Sequence, residues 1–172
     1  MTIAERFRAE LDQEVQATRA LLSRLPADKW DWKPHEKSMS LGRLATHVAE
    51  IANWSSFTLK ADELDFMSPE MQSWTPRELC SKEEILAELD GAVAKCRADL
   101  ESMNDEDFGQ QWTMKSGYQV LMKATKYMVF RRQVLNHMVH HLAQLGVFLR
   151  LLDVPLPMMY GPSADEDGGM DG

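Results

Sequence analysis

The chain has 172 residues, 44% of them hydrophobic, and a formal net charge of −8. A chain of that length fits one domain burying roughly two-thirds of its unfolded surface, which excludes a disordered chain or a disulfide-stapled miniprotein. The acidic balance argues against nucleic-acid binding, which rests on basic residues neutralising phosphates. Part of the charge lies at the C-terminus, on Asp165, Glu166, Asp167 and Asp171. Cys80 and Cys96 match no zinc-ligand spacing, and the N-terminus lacks the apolar run of a signal peptide. No window is apolar enough to span a membrane, so a reduced cytoplasm is the expected compartment.

The periodicity predicts a first helix over about residues 2–25, with Phe7, Leu11, Val15, Leu22 and Leu25 at three- and four-residue steps and Pro26 as its end. A Trp-, Pro- and Ser-rich loop follows. Ser40 then caps a second helix over about 41–60, striped by Leu41, Leu44, Ala45, Val48, Ile51 and Ala52. After a loop holding Pro69 and Pro76, Ser81 and Glu84 have capping-box spacing for a third helix through Leu100. Cys96 falls on its apolar stripe as a buried thiol. Residues 103–124 carry no clear period, and Gly109 and Gly117 suggest loop. A last helix runs from about 126 to 152, before Pro155 and Pro157. The expectation is an all-α fold, a four-helix bundle with long connecting loops. It forms a single domain over 1–160, followed by an acidic, flexible tail over 161–172.

On the last helix, Phe130, Val134, Leu145, Phe148 and Leu152 share one face at 100° per residue, and His137, His141 and Gln144 fall in its middle. Imidazole in place of an aliphatic residue there is costly unless both ring nitrogens find partners. An i, i+4 pair can share one metal ion, and a bundle can bring His47 of the second helix opposite it. Spacing alone leaves two readings open: hydrogen-bonded polar core, or ligands of a metal with open positions. Neutral imidazole suits zinc, nickel, copper or ferrous iron. His140 sits at the rim of the face as a weak candidate for a catalytic proton relay. Glu50 and Asp62 read as solvated helix charges. Trp54, one turn from Ile51 on the His47 side, is the best pocket candidate; most of Trp30, Trp32, Trp74 and Trp112 read as packing. Lys123, Lys126, Arg131 and Arg132 form a basic patch that reads as a solvated face, with an anionic thiol cofactor as the alternative.

The stretches WDWKPHEKSMSLGRLATHVAEIANW (30–54) and NHMVHHLAQLGVFLRLLDVPLPMMYGPS (136–163) resemble the DinB/YfiT-like superfamily of metalloenzymes. The resemblance covers nearly the whole chain, with both blocks in the expected order. It implies a divalent transition metal, with zinc, nickel or iron foremost, held by His47, His137 and His141 at one mouth of a four-helix bundle. Many members read H-R-G-Q after the His pair, where this sequence has Leu142 and Ala143 between His141 and Gln144. The metal ligands do not depend on those two positions.

The resemblance to thiol-dependent members implies a transferase that activates a low-molecular-weight thiol toward an electrophilic small-molecule substrate, and a homodimer. Two alternatives stand beside it: a metal-dependent hydrolase, for which the sequence names no general base, and a non-enzymatic, stress-linked metal-binding protein. Metal affinity is expected to fall below about pH 6.5, where free imidazole protonates.

Overall fold

Thr2 opens helix α1 (Ile3–Leu22): its side chain accepts from the Glu5 amide while the Glu5 carboxylate accepts from the Thr2 amide, a complete capping box. Phe7, Leu11, Val15 and Leu21 bury one face of α1. The computed structural model describes residues 1–166. α1 ends at Leu22, about one turn before the expected end at Pro26, and Trp30 anchors the loop that follows. The indole donates to the Leu79 carbonyl and lies so close to Gly42 that an added Cβ would approach its ring to 2.7 Å. Ser40 caps α2 (Leu41–Glu50) through the Arg43 amide.

The second helical run reaches Lys60 as expected, but not with one pitch. After α2 it tightens into a 3-10 turn (Ile51–Trp54) and then widens into a π turn (Ser56–Lys60). Two anchors hold this irregular path. Ser55 and Ser56 both donate to the same Asp99 carboxylate oxygen on α4 (Lys82–Glu101), at 2.6 and 2.8 Å. The buried Lys126 ammonium donates to the Leu59 carbonyl at 3.1 Å, one of the acceptors that a helix C-terminus leaves unpaired. Ser81 caps α4 through the Glu84 amide, but the Glu84 carboxylate reaches the Cys80 amide rather than that of Ser81. Cys96 is buried on α4 as expected, and burial pushes its thiol up to about 12.

The expected all-α fold is overturned between α2 and the last helix. Strands β1 (Glu63–Asp65), β2 (Gln111–Ser116) and β3 (Gln119–Thr125) form a mixed sheet in the order β1-β2-β3, with β1 parallel to β2 and β2 antiparallel to β3. Much of the stretch read as loop is therefore a hairpin. Gly117, at φ 58°, makes its turn in the left-handed region that glycine enters without strain. Met114 pairs with Met122 and Lys115 with Val120, so Leu121 is an extra residue that bulges from β3. The bulge breaks the strict alternation by which a strand is recognised. A short helix α3 (Pro69–Ser73), capped by Ser68, lies between β1 and α4.

The last helical run carries a second π turn: α5 (Lys126–Phe130), the turn Arg131–Leu135, then α6 (Asn136–Leu151). The insertion advances the phase by about one residue. Downstream of it Met138, Leu142, Leu145 and Leu149 form the core stripe. His137 and His141 therefore stand at the edge of the buried face, half exposed, rather than in its middle. The four long helical runs pack around one core, α1 and α2 each against both α4 and α6.

The expected flexible tail, 161–172, lies partly outside the described residues. Within 161–166 the chain turns back on the bundle, where Asp165 pairs with Arg150 and Glu166 with Arg24.

Candidate metal centre

The α2 and α6 backbones bring three imidazoles to one point. The Nε2 atom of His137 lies 2.8 Å from Nε2 of His141 and 3.4 Å from Nε2 of His47. All three rings can present a nitrogen within 4.8 Å of the others. His47 is buried and the other two are half-buried.

What distinguishes this cluster from an ordinary polar core is the direction of the second nitrogens. The His47 Nδ1 faces the Glu50 carboxylate at 3.2 Å, and a carboxylate accepts, so Nδ1 carries the proton. The His141 Nδ1 lies 2.7 Å from the Gln144 side-chain oxygen and donates likewise. The His137 Nδ1 is buried without a well-formed hydrogen bond, and the group beside it is the Gln133 backbone one turn earlier. The Nε2 atoms of His47 and His141 are therefore unprotonated and point inward. A proton on His137 Nε2 can satisfy one of those lone pairs but not both.

A cation at the centre satisfies all three. In tetrahedral geometry with metal–nitrogen bonds of about 2.0–2.1 Å, ligand nitrogens stand about 3.3–3.4 Å apart. The His47–His137 separation already matches, and the His137–His141 separation needs to open by several tenths of an ångström. The donor set thus fits a divalent transition metal, and imidazole alone does not choose which one.

Glu50 corrects the sequence reading. It is not a solvated helix charge but a buried carboxylate, clamped by Arg43 at 3.2 Å and turned to His47. Its position three residues after His47 is the spacing that a supporting carboxylate on one helix face needs, though the same spacing is common on exposed helices. Asp62 is largely exposed and pairs with Lys126. The basic patch does not assemble as an anion site, because Lys126 is engaged by Leu59 and Asp62 and Arg131 by Glu10. His140 is exposed, its ring 4.8 Å from that of His141, and lies outside the converging set.

Beside the cluster lies a pocket of about 280 Å³. His47 and Trp54 both line it, the Trp54 ring lying 4.8 Å from His137 and 5.6 Å from His47 in edge-on contacts. Trp54 is the pocket residue that the sequence singles out. Trp74 and Trp112, read as packing, line the pocket as well. Trp112 does both jobs, being 1% exposed with its indole donating to the Phe57 carbonyl. The far wall comes from the sheet and α3, the segments that the sequence reading missed.

A family model of the DinB superfamily matches residues 10–145. The chain belongs to the DinB superfamily. Two solved DinB-like proteins share the fold. One, from Bacillus subtilis, aligns with TM-score 0.67 and 19% identity over 90% of this chain and 96% of its own. The other, from Bacillus cereus, aligns with TM-score 0.63 and 17% identity over 87% and 92%. No curated protein matches the sequence. At such identities the shared fold is what the likeness carries for this DinB protein. Among the described residues no helix is long and apolar enough to cross a membrane.

Proposed function

We propose that this DinB protein is a metal-dependent transferase that joins a low-molecular-weight thiol to a small electrophile. The observation that carries the reading is the convergence of the Nε2 atoms of His47, His137 and His141 beside a pocket, with no uncommitted carboxylate among the described residues there. When bound there, a divalent metal supplies a Lewis acid that lowers the pKa of a coordinated thiol, and the thiolate is the reactive form. The chain's own groups do the rest. Glu50, held by Arg43, and Gln144 keep the Nδ1 protons of His47 and His141 outward, so that Nε2 stays available. Trp54 covers one side of the cluster and limits water there.

In the reaction, sulfur gives its electron pair to an electrophilic carbon and a carbon–sulfur bond forms. The bond from that carbon to the leaving group breaks, the leaving group departs with that electron pair, and the thiol proton passes to solvent. Such chemistry asks for no general base from the protein. A hydrolase benefits from one, and Glu50 is spent on Arg43 and His47. This favours thiol transfer over hydrolysis.

The test uses cobalt-loaded protein. Adding a small thiol should produce a sulfur-to-cobalt charge-transfer band, and a screen of thiols against alkylating electrophiles should give product that His141→Ala does not form. Absence of the band together with hydrolytic turnover of esters or amides would reverse the order of the two readings.

A further inference from the structure

The pocket beside the three histidines is chemically one-sided. Its wall includes Trp54, Phe57, Phe66, Trp74, Trp112 and Met114, and among the described residues no Asp, Glu, Lys or Arg lines it. Its few polar groups are mostly committed: the Trp112 indole donates to the Phe57 carbonyl, and the Thr58 hydroxyl donates to main-chain oxygens of its own helix. What stays open to an occupant is the Gln133 amide and the indole N–H groups of Trp54 and Trp74, while the His47 ring contributes its face or edge to the wall. Phe57, Phe66 and Trp74 are partly exposed at the mouth, Trp74 by 52%, so the pocket opens to solvent through aromatic edges.

Three physical consequences follow. A charged group carried into such a wall loses hydration that nothing in the pocket replaces. An aromatic or aliphatic body gains from burial, at roughly 25 cal/mol per Å² of apolar surface, and from ring–ring contact. An organic cation, which aromatic walls can otherwise hold, meets a divalent ion at the His47 end, and the two repel.

We infer that the pocket takes the electrophile, and that this electrophile is an uncharged aromatic or similarly apolar molecule small enough for a cavity of about 280 Å³. The inference rests on the thiol-transfer reading for the word electrophile, but the pocket's preference for an uncharged apolar body does not. The thiol, which in cells is polar and charged, approaches the histidines from outside this pocket. Only the reacting end of the electrophile needs to reach the His47 side of the pocket.

The experiment uses two dyes that differ by one sulfonate: N-phenyl-1-naphthylamine, which is neutral, and 8-anilino-1-naphthalenesulfonate. Both are titrated into metal-free and zinc-loaded protein, following dye emission and quenching of tryptophan. The neutral dye should bind one per chain to both forms and at least about tenfold more tightly than the anionic one, which carries a buried charge. Met114→Glu should weaken the neutral dye by about tenfold or more. Phe66→Glu at the mouth provides the same test if Met114→Glu does not fold. Zinc content of both variants should stay at the parent value. Equal binding of the two dyes, or undiminished neutral-dye binding in a folded variant, would overturn the inference. Neutral-dye binding in protein that fails to hold zinc would instead leave the pocket standing and sink the thiol-transfer reading. Tighter binding of phenyltrimethylammonium than of the neutral dye would overturn the choice of an uncharged occupant.

Discussion

At the residue scale the site is governed by which nitrogen of each imidazole holds the proton. Glu50→Ala removes the acceptor for His47 Nδ1 and leaves Arg43 without its carboxylate. Loss of such a supporting group typically lowers metal affinity by about 10–100-fold. Competition with a chromogenic chelator should read that loss while the circular-dichroism spectrum stays helical, and unchanged affinity would show that Glu50 does not orient the ligand. Protonation follows from the same environment. Burial, helped by the neighbouring imidazoles, holds His137 below the ordinary 6.5 and pushes His141 down to about 4, against the opposing Gln144 hydrogen bond. Both groups bind protons less readily folded than unfolded. In the metal-free protein their contribution to stability is therefore fully present above about pH 6.5 and is lost progressively as the pH falls toward about 4. Melting temperatures across that window should show the decline, with a shallower slope in His141→Gln; equal slopes would contradict the assignment. That His137 and His141 fall together was legible in the sequence because an i, i+4 spacing survives any small error in phase, whereas His47 joined them through the two-helix geometry of a bundle and the family resemblance. The role of Glu50 was not, because a carboxylate three residues after a histidine also describes an ordinary exposed helix.

At the element scale the departures from regular pitch do the positioning. A uniform 100° advance places His137 and His141 in the middle of the core face, and the π turn Arg131–Leu135 moves them to its edge, where they meet His47. No periodicity read along one sequence reveals where a single extra residue enters a helix. The sheet escaped for a related reason. The Leu121 bulge interrupts the alternation of β3, and β1 is three residues long. The signals that were present, aromatic and β-branched residues on both sides of Gly117, are weak when one strand is bulged. Trp112 ties this sheet to the bundle. Trp112→Ala should destabilise the protein by about 3–5 kcal/mol, since it removes a buried indole and leaves a cavity. It also leaves the Phe57 carbonyl without its donor. Urea denaturation should show the loss, and a change below about 1 kcal/mol would mean that the sheet contributes little to holding the pocket wall.

At the scale of the whole molecule, the core of the four helical runs is continuous without any metal, with Leu11, Leu44, Leu89 and Leu145 all buried in it. Metal that binds only the folded state adds about 2.7 kcal/mol at a hundredfold excess over its dissociation constant. For a chain of this size that corresponds to roughly 5–10 °C in melting temperature. Chelation should lower the melting temperature by that amount and leave the protein folded at room temperature. Unfolding by chelator alone would indicate that the metal organises the fold rather than the chemistry. The bundle was readable from its apolar stripes, whereas the mixed sheet beside it needed pairings between residues some fifty positions apart, such as Glu63 with Thr113. The account stands most directly on one determination: the metal content of protein purified without a histidine tag, for the parent and for His141→Ala. The parent should hold close to one transition-metal ion per chain, and the folded variant should hold well under half of that. A parent free of metal after incubation with zinc, nickel or ferrous iron, or a folded variant that retains a full equivalent, would contradict the three-histidine centre.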